Sequence, residues 1–393
     1  MQPFFAQRFE KVEPSFIREI LKVAANPEII SFAGGLPNPH LFPVKAIEQA
    51  CQDVLREQGA AALQYATTEG FAPLRQYIAD RYLSRHGMEV NPDNILITSG
   101  SQQALDLLGK VLVNEGQDLI IEEPGYLGAI QAFSVYQPNF KPITLAEEGL
   151  DLAALDALLE QGSSARLLYG VPNFQNPSGV SYSRANREAL AERLVRHDLL
   201  MVEDDPYGEL RFEGEHLPPI AKLAPNNTVL LGSFSKTVVP AFRLGWMLVP
   251  DWLRKKVTIA KQATDLHSNA FSQQVLHRFL TDHSLDAHLE KIKEVYGRQR
   301  AAMEAALSRH CPPGVSYTRP EGGMFLWLTL PPSVSAMALF DEAIKEKVAF
   351  VPGAPFYVRP EIQNTLRLSF SCVDEATTEE GVQRLCRALA RML

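Results

Sequence analysis

The chain is short of several things, and each shortage excludes a class of function. Cysteine is scarce: four residues in 393, Cys51, Cys311, Cys372 and Cys386. They are widely spaced, with no Cys-x-x-Cys pair, so neither a zinc ribbon nor a dithiol redox motif is written here. They read as buried thiols of a reducing compartment. Positive charge is not in excess: 38 Lys+Arg against 46 Asp+Glu give a formal charge of −8. With no basic block to neutralise a phosphate backbone, no nucleic-acid partner is expected. No apolar run approaches the roughly 20 residues of a membrane span, and residues 1–10 carry Gln2, Arg8 and Glu10 where a signal peptide would be apolar. The expectation is a cytoplasmic protein with no membrane partner. Repeats and low-complexity segments are also missing.

What is present is an ordinary globular balance, 46% hydrophobic and 21% charged. At roughly 150 residues per domain the length suggests two domains. The middle of the chain alternates short apolar runs with helical patterns. Strands are expected at 95–98, 119–122, 167–171, 199–204, 229–231 and 244–249, several of them continuous apolar runs, as a sheet covered on both faces requires. Phe71, Leu74, Ile78 and Leu83 form a helical stripe closed by Gly87, and 183–197 is a second, polar-capped helix. The fold class expected is α/β, with a mostly parallel central sheet and a ligand crevice at the carboxyl ends of its strands. After about residue 255 the rhythm changes to long helices (252–265 and 285–309). A mixed tail follows, with strands at 323–330, 348–351 and 365–370 and helices at 336–347 and 378–393. Residues 45–265 are therefore assigned to a large domain, and 1–44 plus 266–393 to an N-terminal segment and a smaller α+β domain. Pro37, Pro39 and Pro43 keep the N-terminal segment from being one regular element.

Four stretches could carry chemistry, each directly after an expected strand. Gly232-Ser233-Phe234-Ser235-Lys236, followed by Arg243-Leu244-Gly245, gathers two hydroxyls, an amine and a guanidinium, a set that suits a phosphate. A lone lysine would be a solvated surface residue. In Val202-Glu203-Asp204-Asp205-Pro206-Tyr207 an apolar strand ends in three acids and a tyrosine, where α/β enzymes place their chemistry; a polar loop cap or a carboxylate metal site is the alternative. Pro172-Asn173-Phe174-Gln175-Asn176-Pro177-Ser178-Gly179 is a turn by composition, and Asn176 can also offer its amide inward. Thr98-Ser99-Gly100-Ser101-Gln102-Gln103 runs from strand into helix, with Ser101 either a cap or part of an anion site.

Taken together and in order, these stretches resemble the fold-type I pyridoxal phosphate enzymes of the class I/II aminotransferase group. The resemblance rests on Tyr65, Gly100-Ser101-Gln102, Tyr126, Asn176-Pro177-Ser178-Gly179, Asp204-x-x-Tyr207, Ser233-x-Ser235-Lys236, Arg243 and Arg367, and it covers nearly the whole chain. Ser31-Phe32-Ala33-Gly34-Gly35-Leu36-Pro37 and Gly322-Gly323-Met324-Phe325 bring it closest to the α-aminoadipate and kynurenine aminotransferase branch. It implies pyridoxal 5′-phosphate as cofactor, bound covalently by Lys236, which also moves the substrate proton. It implies Asp204 beside the pyridine nitrogen, Asn176 and Tyr207 on the ring oxygen, and Tyr126 stacked on the ring. It places the phosphate among Ser101, Gln102, Ser233, Ser235 and Arg243, with Tyr65 reaching over from the second subunit of a homodimer. Arg367 would take the substrate α-carboxylate, a role for which an internal salt bridge is the competitor; Gly35 would lie against substrate, and Arg18 would meet a distal carboxylate. No metal is assigned, and Asp205 is expected to be structural. Asn-Pro-Ser-Gly and the proline at Pro206 depart from the commoner family pattern without removing a functional group.

The activity expected is transfer of an amino group from an L-amino acid of the 2-aminoadipate, aromatic or branched-chain type to a 2-oxo acid, 2-oxoglutarate foremost. Three alternatives stay open. Ser233-x-x-Lys236 fits a serine acyl enzyme, although Ser-Asp-Asn and Lys-Thr-Gly are missing. A catalytically silent sensor domain of the kind fused to transcription regulators would need a DNA-binding module, for which the resemblance, beginning near Ser15, leaves no room. A lyase or decarboxylase using the same cofactor is the third.

Overall fold

Apolar runs become strands buried along their length when helices cover both faces of a sheet. The computed structural model describes residues 4–9, 20, 26–359 and 361–393. Its strands, in chain order, are β1 (Ile30–Ser31), β2 (Ile95–Thr98), β3 (Asp118–Glu123), β4 (Asn139–Ala146), β5 (Gly149–Leu150), β6 (Leu167–Gly170) and β7 (Leu200–Asp205). They continue with β8 (Thr228–Ser233), β9 (Gly245–Leu248), β10 (Ser316–Tyr317), β11 (Phe325–Thr329), β12 (Val348–Ala349), β13 (Val351–Pro352) and β14 (Thr365–Ser369). Eight form one sheet in the order β2-β9-β8-β7-β6-β3-β4-β5.

The pairs β8/β7, β7/β6, β6/β3 and β3/β4 are parallel, as expected of strands linked by helical crossovers. The 244–249 run is an exception within this mostly parallel sheet. As β9 it lies antiparallel between β8 and β2. Two reversals restore the direction of β2, so β2, β3, β6, β7 and β8 all end at one edge and β9 begins there. One core fills one face with Leu105, Ile121, Val202 and Leu231; the other face packs Ile120, Leu155, Leu190, Leu194 and Met201. Each such fully buried side chain contributes on the order of 1.5–3 kcal/mol.

A second sheet, β10-β11-β14-β13, is antiparallel throughout. The N-terminal segment reaches it because β1 pairs in parallel with β12 and Phe32 then continues along β14, its carbonyl accepting from the Ser369 N–H at 2.8 Å. This places Ala33 to Leu36 over the carboxyl edge of the large sheet.

Several boundaries differ from expectation for physical reasons. β4 is absent from the expected strands because Lys141 and Pro142 interrupt its apolar pattern. So is the helix Ala270–Asp282, which precedes the long helix Leu285–His310. The 348–351 run divides between two sheets as β12 and β13. The helix Ala72–His86 ends at Gly87 in the left-handed conformation as expected, but Leu83 is 50% exposed and lies off the buried stripe of Leu74 and Ile78. The final helix begins at Glu375, capped by Asp374. No helix among the described residues is long and apolar enough to cross a membrane.

Arg187, on the helix Arg184–Arg196, is fully buried behind the loop that follows β6. Its guanidinium donates to the carbonyls of Tyr182 (3.0 Å), Pro172 (2.8 Å) and Pro218 (3.2 Å) and to Asn173 Oδ1 (2.6 Å). Acceptors buried around it have no water to replace it. Arg187→Met is expected to lower stability by about 3 kcal/mol, read as a shifted urea midpoint; an unchanged midpoint would show that the loop does not depend on this anchor.

Candidate active site

The common strand edge gathers the chemistry. Lys236 lies in the turn after β8, and its Nζ donates to the Gly35 carbonyl at 2.7 Å. Burial, reinforced by the charge of Arg367, lowers its amine to about 8. From the end of β7, Asp204 is 1% exposed. Its Oδ2 accepts from the Tyr169 hydroxyl at 2.9 Å, while its buried Oδ1 has no partner. Burial pushes this carboxyl up to about 7, with the Tyr169 hydrogen bond opposing.

Asn176, in the loop after β6, is held between two of the other groups. Its Nδ2 donates to the Tyr207 hydroxyl at 3.4 Å, and its Oδ1 accepts from Arg367 Nη1 at 2.8 Å. Arg367, at the centre of β14, also donates from Nη2 to the Ala33 carbonyl at 2.8 Å. Its guanidinium lies 4.3 Å from the Phe325 ring centre and 5.5 Å from that of Phe356. Its Nε is buried without a partner, and no ion pair among the described residues includes it, so no salt bridge there accounts for this charge. All of β14 is buried, including positions expected to alternate outward. Tyr126 begins the helix Leu127–Ser134; burial and the nearby Asp204 raise its hydroxyl to about 12. The same Tyr126 interacts with Arg367 and Arg243, and Tyr207 with Tyr126, Arg367 and Asp204, so these groups share one electrostatic neighbourhood.

A cradle lies beside them. The helix Ser101–Leu112 starts after Gly100 with no side chain capping its first N–H groups. A Cβ on Gly100, at φ +77°, would come within 2.8 Å of Arg243 Nη2, and one on Gly245 within 3.0 Å of the Ser101 nitrogen. Glycine at these two places lets a guanidinium and a helix N-terminus converge, an arrangement suited to an anion. Ser235 is nearly buried at the end of the β8 turn.

Not every expected residue points into this space. Ser233 Oγ accepts from the Ser235 N–H at 3.1 Å, and Gln102 Nε2 donates to the Gly128 carbonyl at 2.8 Å, which leaves Gln102 only its backbone for the cradle. Because Ser233 is engaged in its own turn and Lys236 with Gly35, the two are not paired as a serine acyl enzyme requires. Tyr65 is 82% exposed, edge-on to His267. Gly35 lies against Phe325, where a Cβ would sit 3.0 Å from the ring. Asp205 accepts from Asn173 Nδ2 (2.9 Å) and the Gly208 N–H (2.8 Å), the structural part expected of it. Arg18 lies outside the described residues. The cysteines differ from their reading as uniformly buried: Cys372 is exposed, Cys51 and Cys311 are half-buried, and Cys311 meets Cys386.

Two residues escape a reading of the sequence. Tyr169 is the one hydroxyl in its apolar strand, and the register of β6 on β7 sets it opposite Val202, two residues before Asp204. Phe325 stands in a motif, but nothing in the motif shows it as the platform for Arg367. Volume is a poorer guide than chemistry: a cleft of about 900 Å³ lined by Glu123, Arg319 and Arg359 contains none of the residues just described.

Comparison with known proteins agrees with this geometry. The family model for aminotransferase class I and II matches residues 29–385. The 2-aminoadipate transaminase of Thermus thermophilus is 43% identical over 99% of this chain and 97% of its own length. The aromatic-amino-acid aminotransferase 1 of Thermococcus litoralis is 40% identical over 99% and 94%. The crystal structure of the α-aminoadipate aminotransferase of Thermus thermophilus, complexed with N-(5′-phosphopyridoxyl)-L-leucine, superposes with a TM-score of 0.92 at 42% identity, covering 99% of this chain and 97% of that one.

The raised carboxyl of Asp204 has a consequence for pH. Its proton is held to about 7 in the folded chain but released near 4 when unfolded. The folded state therefore binds more protons across that window, and the contribution of Asp204 to stability falls as pH rises from about 4 through about 7. The melting temperature of cofactor-free protein is expected to fall more steeply between pH 5 and 8 than that of cofactor-free Asp204→Asn; parallel curves would mean that Asp204 does not titrate there.

Proposed function

From the premise that the chain belongs to the class I and II aminotransferases and is a pyridoxal-phosphate-dependent transferase, we propose that it moves the amino group of an L-amino acid of the 2-aminoadipate, aromatic or branched-chain type to a 2-oxo acid such as 2-oxoglutarate. The substrate classes follow the names of its relatives. The working unit proposed is a cytoplasmic homodimer.

The donor set fits the cofactor. Asp204 Oδ1, buried and unpartnered, is placed to accept from a ring N–H, and the cradle of Arg243, Ser235 and the Ser101 and Gln102 backbone is suited to a phosphate. Asn176 and Tyr207 would hold the ring oxygen, Tyr126 would cover the ring, and Lys236 would carry the covalent link. Ser233 has the lesser part, ordering the Ser235 turn from which its hydroxyl can still donate. When bound, the cofactor supplies an electron sink for the amino acid's α-carbon.

The chain's own groups do the rest. Lys236, with an amine brought to about 8, can be neutral near physiological pH and so take the proton from the substrate α-carbon and return one. Arg367 offers its free Nε and remaining N–H groups to the α-carboxylate in a buried, aromatic-walled position, where a charge-assisted fork fixes orientation. Gly35 keeps the space beside it open. Arg18 is assigned to a distal carboxylate by the resemblance alone. The exposure of Tyr65 supports the dimer: the tyrosine that the resemblance assigns to the phosphate of a neighbouring subunit stands open to solvent.

The observation carrying this reading is the half-satisfied carboxylate of Asp204 in the same electrostatic neighbourhood as the Lys236 amine and the Arg367 guanidinium, whose Nε is left without a partner. An amino-donor panel with 2-oxoglutarate, followed by glutamate formation, tests the activity; no transfer from any donor class would overturn it. Lys236→Ala is expected to remain folded and lose on the order of 10⁴-fold in kcat, checked in single-turnover mixing. Arg367→Ala should raise KM for both amino and oxo acid by on the order of 100-fold, whereas an effect on only one of them would rule out a shared carboxylate site.

A further inference from the structure

Cys311 and Cys386 are separated by 75 residues in sequence, yet their sulfurs stand 2.9 Å apart. Cys311 closes the 26-residue helix Leu285–His310, its N–H accepted by the Leu307 carbonyl, and Cys386 lies buried within the last helix, Glu375–Ala390. The surroundings hold these two helices side by side independently of the thiols. Arg309 pairs with Glu379, His310 Nε2 meets Glu379 Oε1 at 2.7 Å, and Gln299 Nε2 donates to the Val373 carbonyl at 2.9 Å. A disulfide needs a sulfur separation of about 2.0 Å, so side-chain rotation alone covers most of the remaining gap and neither helix has to move far.

We propose that Cys311 and Cys386 are an oxidation site that forms an intramolecular disulfide, clamping the C-terminal helix to the long helix of the small-sheet region. Cys311, half-buried and within reach of solvent where Cys386 is buried, is the sulfur that meets the oxidant first and so the attacking one. With hydrogen peroxide as oxidant, the Cys311 thiolate attacks one peroxide oxygen. The O–O bond breaks, and the departing hydroxide takes up a proton to become water, leaving a sulfenic acid on Cys311. The Cys386 sulfur then attacks the Cys311 sulfur; the S–S bond forms, the S–O bond breaks and a second water leaves with the Cys386 proton. Both sulfurs are oxidised and one peroxide is reduced to two waters. Cys372, whose sulfur contacts the Leu36 carbonyl, and Cys51 have no sulfur partner among the described residues and stay out of the reaction.

The closed loop removes freedom mainly from the unfolded chain, so oxidation should raise the melting temperature by on the order of 5 °C. The test uses cofactor-loaded protein, reduced and then treated with hydrogen peroxide. Thiol titration under denaturing conditions should fall from four to two, and non-reducing peptide mapping should join the Cys311 and Cys386 peptides. Cys311→Ser should hold at three thiols before and after treatment, whereas Cys386→Ala, which has nothing to resolve the Cys311 sulfenic acid, should fall from three to two with no peptides joined; neither should rise in melting temperature. Four thiols remaining after peroxide, a link through Cys51 or Cys372, or a correct link without thermal gain would each overturn the clamp. Presence or absence of the Cys311–Cys386 link leaves the transamination reading untouched, since neither sulfur belongs to that site.

Discussion

A carboxyl group taken out of water with one oxygen satisfied and the other left over is the constraint around which this molecule is arranged. Burying Asp204 costs several kcal/mol unless its charge is matched, and a single hydroxyl, that of Tyr169, does not match it. The carboxyl answers by holding a proton up to about 7. A site built for a cationic N–H donor resolves the same problem differently, because such a donor restores the charge that burial suppresses. Arg367 is the mirror case: a buried guanidinium whose nearest partners are an amide oxygen, a carbonyl and two aromatic faces, with its Nε unused. Two opposite charges, both underpaired and not paired with each other, mark places for parts of other molecules.

These charges converge because of strand direction. β3, β6, β7 and β8 are parallel, and two antiparallel steps bring the end of β2 and the start of β9 to the same edge. Residues separated by more than a hundred positions, from Gly100 to Arg243, thus meet without any long loop spanning the sheet. Rigid strand ends also explain how loops that look like ordinary turns can hold side chains in fixed places. Arg187 ties down the Pro172 carbonyl and the Asn173 side chain from behind, and Asp205 does the same for the turn at Gly208.

Much of this is legible in the sequence because burial on both faces writes a strand as an unbroken apolar run, and polar residues immediately after such a run stand out. Lys236, Asp204 and Asn176 stand out that way, and Arg367 as a charge inside such a run. Direction is not legible: nothing in Leu244 to Val249 distinguishes an antiparallel strand from a parallel one, and β4 is hidden by Lys141 and Pro142. Side-chain aim is also hidden. Ser233 and Gln102 carry the right groups, yet local hydrogen bonds turn them to Ser235 and Gly128. Tyr169 escapes notice because a tyrosine in a core strand ordinarily reads as packing, and only the register with β7 reveals the acid beside it. The proximity of Cys311 to Cys386 belongs to the same class, since spacing along the chain says nothing about helices that pack side by side.

The N-terminal segment links these parts in a way no single motif states. Phe32 is fastened to β14, Ala33 gives its carbonyl to Arg367, and Gly35 gives its carbonyl to Lys236. On the function proposed above, a carboxylate at Arg367 would compete for the guanidinium that holds Ala33, and engagement of the Lys236 amine would remove the donor that holds Gly35. Both contacts are single hydrogen bonds from charged donors, each contributing on the order of 1.5–3 kcal/mol. Occupying the site would then trade two anchors of one short segment for contacts with the occupant. The segment is kept in register meanwhile by the β1 pairing with β12, which uses backbone groups that the site does not touch. On that reading, recognition at Arg367 and the freedom of Lys236 are coupled through the three residues Ala33, Gly34 and Gly35.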